Sequence, residues 1–177
     1  MPRNGARCHG AARDSAERGL GMRSRARRAA RCIATVGGLG RVPWGPGTWG
    51  SAVGLLLGVP AARTLSRPLS LPALLVSFVV CAVICGWAEE QLGEHDPAAV
   101  ILDEVWGMAS IIIAVPRVAS SCLWLLVAFG LFRLFDTSKP FPLKRLARLP
   151  AGWGIMADDG GAAAYTILLL LMARLAG

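Results

Sequence analysis

The stretch Leu71-Pro72-Ala73-Leu74-Leu75-Val76-Ser77-Phe78-Val79-Val80-Cys81-Ala82-Val83-Ile84-Cys85-Gly86-Trp87-Ala88 contains no Asp, Glu, Lys, Arg or His, and Glu89 follows it at once. A helix that crosses a bilayer needs about 20 mostly apolar residues, and this run alone comes near that length. It shows no alternation of apolar and polar positions, and its one proline sits early enough for a helix to accommodate. Shorter apolar stretches surround it at residues 51–62, 105–115, 120–135 and 162–175. These predict helices that are tilted, extended by polar flanks or only partly inserted. The expected fold class is all-α, a compact helical bundle with membrane-embedded and interfacial helices.

Composition agrees. Of 177 residues, 54% are hydrophobic, against about 45–50% in soluble domains, and the mean hydropathy is +0.52. The formal net charge of +8 suggests a nucleic-acid binder until it is divided along the chain. Residues 1–31 hold nine arginines against Asp14 and Glu17, whereas the ten basic and nine acidic residues that remain nearly cancel. The basicity therefore belongs to an Arg/Gly/Ala-rich tail, expected to be disordered and to hold anionic lipid head groups, with no nucleic-acid partner. Residues 32–177 form the expected membrane domain. The segment after Arg31 is too short and glycine-rich for a signal peptide, and Met22 is an alternative start. The five cysteines are odd in number, and Cys81, Cys85 and Cys122 lie in apolar runs, so they read as packing residues.

If each apolar stretch crosses, residues 43–50, 89–104 and 136–161 share one side, and residues 63–69 and 116–120 the other. The first side carries the tail, Lys139, Lys144, Arg145 and Arg148; the second carries Arg63, Arg67 and Arg117, with Arg174 near the C-terminus. The positive-inside rule makes the first side cytoplasmic. The carboxylates of the body, from Glu89, Glu90 and Glu94 to Asp96, Asp103, Glu104, Asp136, Asp158 and Asp159, all fall there.

Three clusters on that side bear on chemistry. In Phe132-Arg133-Leu134-Phe135-Asp136-Thr137-Ser138-Lys139-Pro140-Phe141-Pro142, Arg133 and Asp136 share a helix face and Lys139 lies beyond the helix end. Cation, carboxylate and cation so spaced suit a phosphate beside a metal ion, although a plain Arg133–Asp136 ion pair also fits. Asp103-Glu104 opens an apolar segment, where a helix dipole favours one acid and a divalent cation would reconcile two. Asp158-Asp159 precedes another apolar stretch, and an N-cap accounts for one of the pair but not both. A fourth segment, Gly45-Pro46-Gly47-Thr48-Trp49-Gly50-Ser51, lets backbone approach an anion, with Thr48 or Ser51 able to cap the next helix. It matches neither a Walker loop nor a dinucleotide fingerprint. Histidine is confined to His9 and His95, Cys8 and Arg13 miss the cysteine-phosphatase spacing, and Asp136-Thr137-Ser138 lacks the second aspartate of an aspartyl nucleophile motif. Metal-activated water is then the simplest proposal for hydrolysis.

These blocks resemble the phosphatidylglycerophosphatase A family. Pro46-Gly47-Thr48-Trp49-Gly50 is similar to its N-terminal signature. Asp96-Pro97 with Asp103-Glu104-Val105-Trp106-Gly107, the Phe132–Pro142 block and Gly154-Ile155-Met156-Ala157-Asp158-Asp159 are similar to its later motifs, in order. Trp106 is a bulky departure where the family carries a smaller apolar residue. The resemblance implies hydrolysis of phosphatidylglycerophosphate to phosphatidylglycerol and phosphate, with Mg2+, at a bacterial cytoplasmic (inner) membrane with the site facing the cytoplasm. It implies catalytic roles for Asp96, Asp103, Glu104 and Asp136. Phosphate contacts would come from Arg133, Lys139, Gly47 and Thr48, and metal contacts from Glu104, Asp136, Asp158 and Asp159. Trp44 and Trp49 would admit acyl chains at the interface. The competing expectation is a non-enzymatic membrane protein that binds divalent cations or a partner through its acidic face.

Overall fold

A computed structural model describes residues 25–176. Helix α1 (residues 25–34) leads through a 3-10 turn (Val36–Arg41) into α2 (Pro46–Thr64), α3 (Arg67–Leu92) and α4 (Leu102–Ala114). A second 3-10 turn (Pro116–Ser120), α5 (Cys122–Ser138), the single-turn α6 (Leu143–Leu146) and α7 (Gly152–Ala176) complete the chain, with no strand among the described residues. The all-α expectation holds.

The axis of the bundle is α4, which packs on α2, α3, α5 and α7. Met108, Ile111 and Ile112 of α4 are fully buried with Phe132 of α5 and Leu143 of α6. Helix α2 reaches α4 through a stripe of small residues, Gly47, Gly50, Ser51, Gly54 and Gly58. At Gly54 a Cβ would lie 2.5 Å from the Val105 carbonyl oxygen and 2.9 Å from Met108 Cβ, so only glycine permits this approach. Such small-residue faces are how helices pack where lipid removes the hydrophobic drive for association.

Helix α3 has the opposite character. Leu71, Leu75, Val76, Val79 and Val80 on it are all exposed, and only 17% of its most apolar window is buried. At about 1.5 Å per residue its 26 residues extend about 39 Å, enough for a hydrocarbon core about 30 Å thick. Gly152–Ala173 of α7 is the second helix long and apolar enough to cross. Leu56 and Leu57 of α2, Leu123 and Leu126 of α5, and Leu168 and Leu169 of α7 also turn outward. That much exposed apolar surface belongs in lipid, and the chain is a membrane protein.

Residues 25–31, placed in the disordered segment, are helical: Ala30 and Ala34 are buried one turn apart on α1, Ala34 packing with Ala88 and Val100, and Arg27 pairs with Glu90 at 3.2 Å. Residues 1–24 of the expected tail lie outside the described residues. Trp106, the bulky departure, is accommodated by α3. Its Nε1 donates to Ser77 Oγ at 2.9 Å, and its ring meets Phe78 edge to face at 5.1 Å. Trp106→Phe is expected to remove about 1 kcal/mol of this interhelical bond. The detergent-solubilised protein would then melt about 2–4 °C lower with phosphatase turnover unchanged.

Candidate active site

The N-terminus of α2, the α3–α4 connection, the first turn of α4, the end of α5 and the interior of α7 meet at one end of the bundle. They enclose a cleft of about 300 Å³ lined by Gly45, Pro46, Gly47, Asp96, Asp103, Glu104, Arg133, Asp136, Lys139, Asp158 and Asp159. The one-sided gathering of acids read from charge placement is thus present in three dimensions.

Each wall has a local cause. Gly45, in the left-handed region at φ 57°, and Pro46 open α2 with no side-chain cap. A Cβ on Gly47 would lie 2.7 Å from Arg133 Nη1 and would collide with the Glu104 carboxylate. Glycine there lets the helix start sit directly against charged groups. Thr48, expected to bind phosphate, is exposed and outside the cleft lining. Neither Thr48 nor Ser51 caps α2; Ser51 Oγ donates instead to the Gly47 carbonyl at 2.9 Å within the buried stripe.

Arg133 and Asp136, one turn apart on α5, pair at 2.6 Å, and the same Nη1 lies 3.9 Å from Glu104 Oε1. Lys139, the left-handed C-cap of α5 at φ 41°, pairs with Asp158 of α7. Asp96, exposed at the cleft mouth, has φ 51°, a conformation that aspartate tolerates better than most residues. Asp158 and Asp159 are not caps as the sequence allowed. Helix α7 begins at Gly152, so the pair sits inside it, 4% and 3% exposed.

The tightest group is Asp103, Glu104 and Asp159, with one carboxylate oxygen of each within 4.8 Å of the others. Asp103 Oδ1, Glu104 Oε2 and Asp159 Oδ2 are buried without a hydrogen-bond partner. At that separation or less, each ionised pair repels by at least about 3.5 kcal/mol for an effective dielectric of about 20. Burial first, and the neighbouring acid charges after it, push Asp103 well above the usual carboxylate range; burial also raises Glu104, opposed by its hydrogen bond with Asp103 and by Arg133. Hard oxygen donors, unsatisfied and crowded, fit a divalent cation. Among the described residues the cleft sets six carboxylates against the two cations Arg133 and Lys139, so a metal ion does not over-neutralise it.

Of the expected metal set, the structure brings Glu104 and Asp159 together and adds Asp103 as the third member. Asp136 is engaged by Arg133 and Asp158 by Lys139. Asp103, for which the sequence allows either a dipole-stabilised first-turn acid or a catalytic residue close to the metal, is 8% exposed, nearly as buried as the α7 pair. The signal available for it was adjacency to Glu104.

A helical membrane protein whose buried carboxylate cluster could hold a divalent cation, with two cations flanking it at one end, fits the class of phosphate-ester hydrolases. The chain belongs to the phosphatidylglycerophosphatase A family, whose description matches residues 32–174. It is 36% identical over 134 residues to "Phosphatidylglycerophosphatase A" of Haemophilus influenzae, covering 75% of this chain and 81% of that one. It is 32% identical over 146 residues, 80% of this chain and 91% of the other, to "Putative phosphatidylinositol-3-phosphatase" of Bacteroides thetaiotaomicron. A shorter match, 33% over 76 residues and 43% of the relative, is to "Phosphatidylglycerophosphatase A" of Escherichia coli. No solved structure matches significantly. The chain is accordingly an enzyme, a phosphatase, and the non-enzymatic expectation falls.

Proposed function

We propose that this enzyme hydrolyses the phosphomonoester of phosphatidylglycerophosphate, releasing phosphatidylglycerol and inorganic phosphate during phospholipid synthesis at the cytoplasmic face of a bacterial inner membrane. The observation that carries the reading is the trio of unpartnered carboxylate oxygens beside Arg133. Asp103, Glu104 and Asp159 would hold Mg2+, with Asp136 and Asp158 completing the shell. A bound Mg2+ polarises phosphate oxygens and lowers the pKa of a coordinated water. Arg133 binds phosphate oxygens through its planar fork, and Lys139 adds a point charge on turning from Asp158 to the substrate. Asp96 at the mouth would give a proton to the departing glycerol oxygen. Trp44, 82% exposed just ahead of α2, and Trp49 in its first turn would anchor the cleft mouth at head-group level. The basic tail adds affinity for anionic lipid.

The direct test is phosphate release from phosphatidylglycerophosphate in detergent, with Mg2+ and with EDTA. Release should stop in EDTA and fall about 100-fold or more in Asp136→Asn, which removes the charge that Arg133 pairs with at 2.6 Å. Undiminished release in EDTA, or full activity in Asp136→Asn, would overturn the assignment. Phosphatidylinositol 3-phosphate is the comparison substrate, and faster release from it would reassign the head group.

A further inference from the structure

The end of the bundle opposite the carboxylates also carries a built feature. Arg67 opens α3, and Arg117 lies in the 3-10 turn Pro116–Ser120. Both line one groove of about 330 Å³, with Ser70, Leu71, Leu74 and Leu171 on its walls. A second cavity of about 300 Å³ shares Val115 and Arg117 with it and extends to Trp124. Every carboxylate among the described residues belongs to the other end, and neither arginine has an ion-pair partner among those residues. Two unpaired guanidinium groups above an apolar trough match one kind of ligand, a phosphate head group with acyl chains beneath it.

We propose that this groove binds an anionic phospholipid from the leaflet opposite the active site, its phosphate between Arg67 and Arg117 and its chains along Leu71, Leu74 and Leu171. The proposal rests on the membrane placement of the helices and not on the phosphatase reading, so the two fail separately. Arginines that merely extend to the interface would show no preference among head groups.

Trp124 supplies a local reporter, since the other tryptophans lie toward the active-site end or within the bundle. The full chain is reconstituted in phosphatidylcholine nanodiscs containing a minor fraction of phosphatidylserine with brominated acyl chains. This probe is a phosphodiester and not a phosphomonoester substrate. Quenching of Trp124 is taken as the difference between the wild type and Trp124→Phe. Roughly tenfold enrichment of the brominated lipid over its bulk fraction is expected, since each arginine adds attraction for anionic lipid. The Arg67→Gln/Arg117→Gln double variant should return quenching to the bulk level while keeping its melting temperature and phosphate release, which shows that it is folded. Quenching at the bulk level in the wild type, or enrichment that survives in the double variant, would overturn the proposal.

Discussion

Asp159→Asn and Glu104→Gln are each expected to lower kcat/KM about 100- to 1000-fold, the usual loss when a charge-stabilising group leaves an active site, and yet to raise the melting temperature of the metal-free protein. The two effects share one origin. One carboxylate oxygen of each of Asp103, Glu104 and Asp159 lies within 4.8 Å of the others, and Asp103 Oδ1, Glu104 Oε2 and Asp159 Oδ2 are buried without a hydrogen-bond partner. Without a cation, folding must desolvate like charges or protonate them, and either way stability is lost. An amide of the same shape removes one charge and supplies N–H donors that a neighbouring carboxylate accepts. Metal binding then weakens and catalysis with it, while the empty fold relaxes. Sites that work by concentrating charge commonly trade stability for activity in this way. An acid that served packing alone would behave differently: its amide would melt lower and lose activity only in proportion to the folded fraction. Melting curves in EDTA beside rates at saturating Mg2+ separate the two, and a lower metal-free melting temperature in both variants would refute the charge-cluster account.

The readable part of this fold was the part in which one physical signal stood alone. The uncharged run at residues 71–88 became the core of α3, and the spacing of Arg133 and Asp136 became an ion pair of 2.6 Å. Charge placement put all the body's acids at one end with no knowledge of packing. The readings that changed are those in which two signals competed. Gly152-Trp153-Gly154 looks like a loop, so α7 seemed to begin near residue 162 and Asp158-Asp159 seemed to precede it. The structure begins α7 at Gly152 because close approach, not flexibility, selects that glycine: a Cβ there would collide with the α3 backbone at the Ala82 carbonyl and at Gly86 N. The acidic pair is thereby drawn inside a helix and into the cleft. Residues 25–31 looked disordered because arginine dominates their composition, but Ala30 and Ala34 are enough to seat α1 on the bundle. Thr48, a phosphate contact by resemblance alone, is exposed one residue along the helix from buried Gly47.

In EDTA, the melting temperature is expected to fall as pH rises from about 4 toward neutrality, the reverse of the acid denaturation usual for proteins rich in ion-paired carboxylates. The sign follows from Asp103 and Glu104. Burial, the largest cause for each, holds both above their ordinary values of 3.8 and 4.5 in the folded protein. A carboxyl whose pKa rises on folding binds its proton more tightly in the native state. Its stabilising contribution is complete below the unfolded value and disappears as pH climbs through the folded one. Asp103→Asn removes a titrating group of the cluster and should flatten the profile over that window, which distinguishes the cluster from the exposed Arg27–Glu90 pair. Saturating Mg2+ should invert the trend. The ion competes with those same protons, so its stabilisation, and the affinity read from it, grow with pH by up to about tenfold per unit for each proton displaced. A metal-free melting temperature that rises through this window, or a Mg2+ shift independent of pH, would mean that the three buried acids are not the groups that hold the ion.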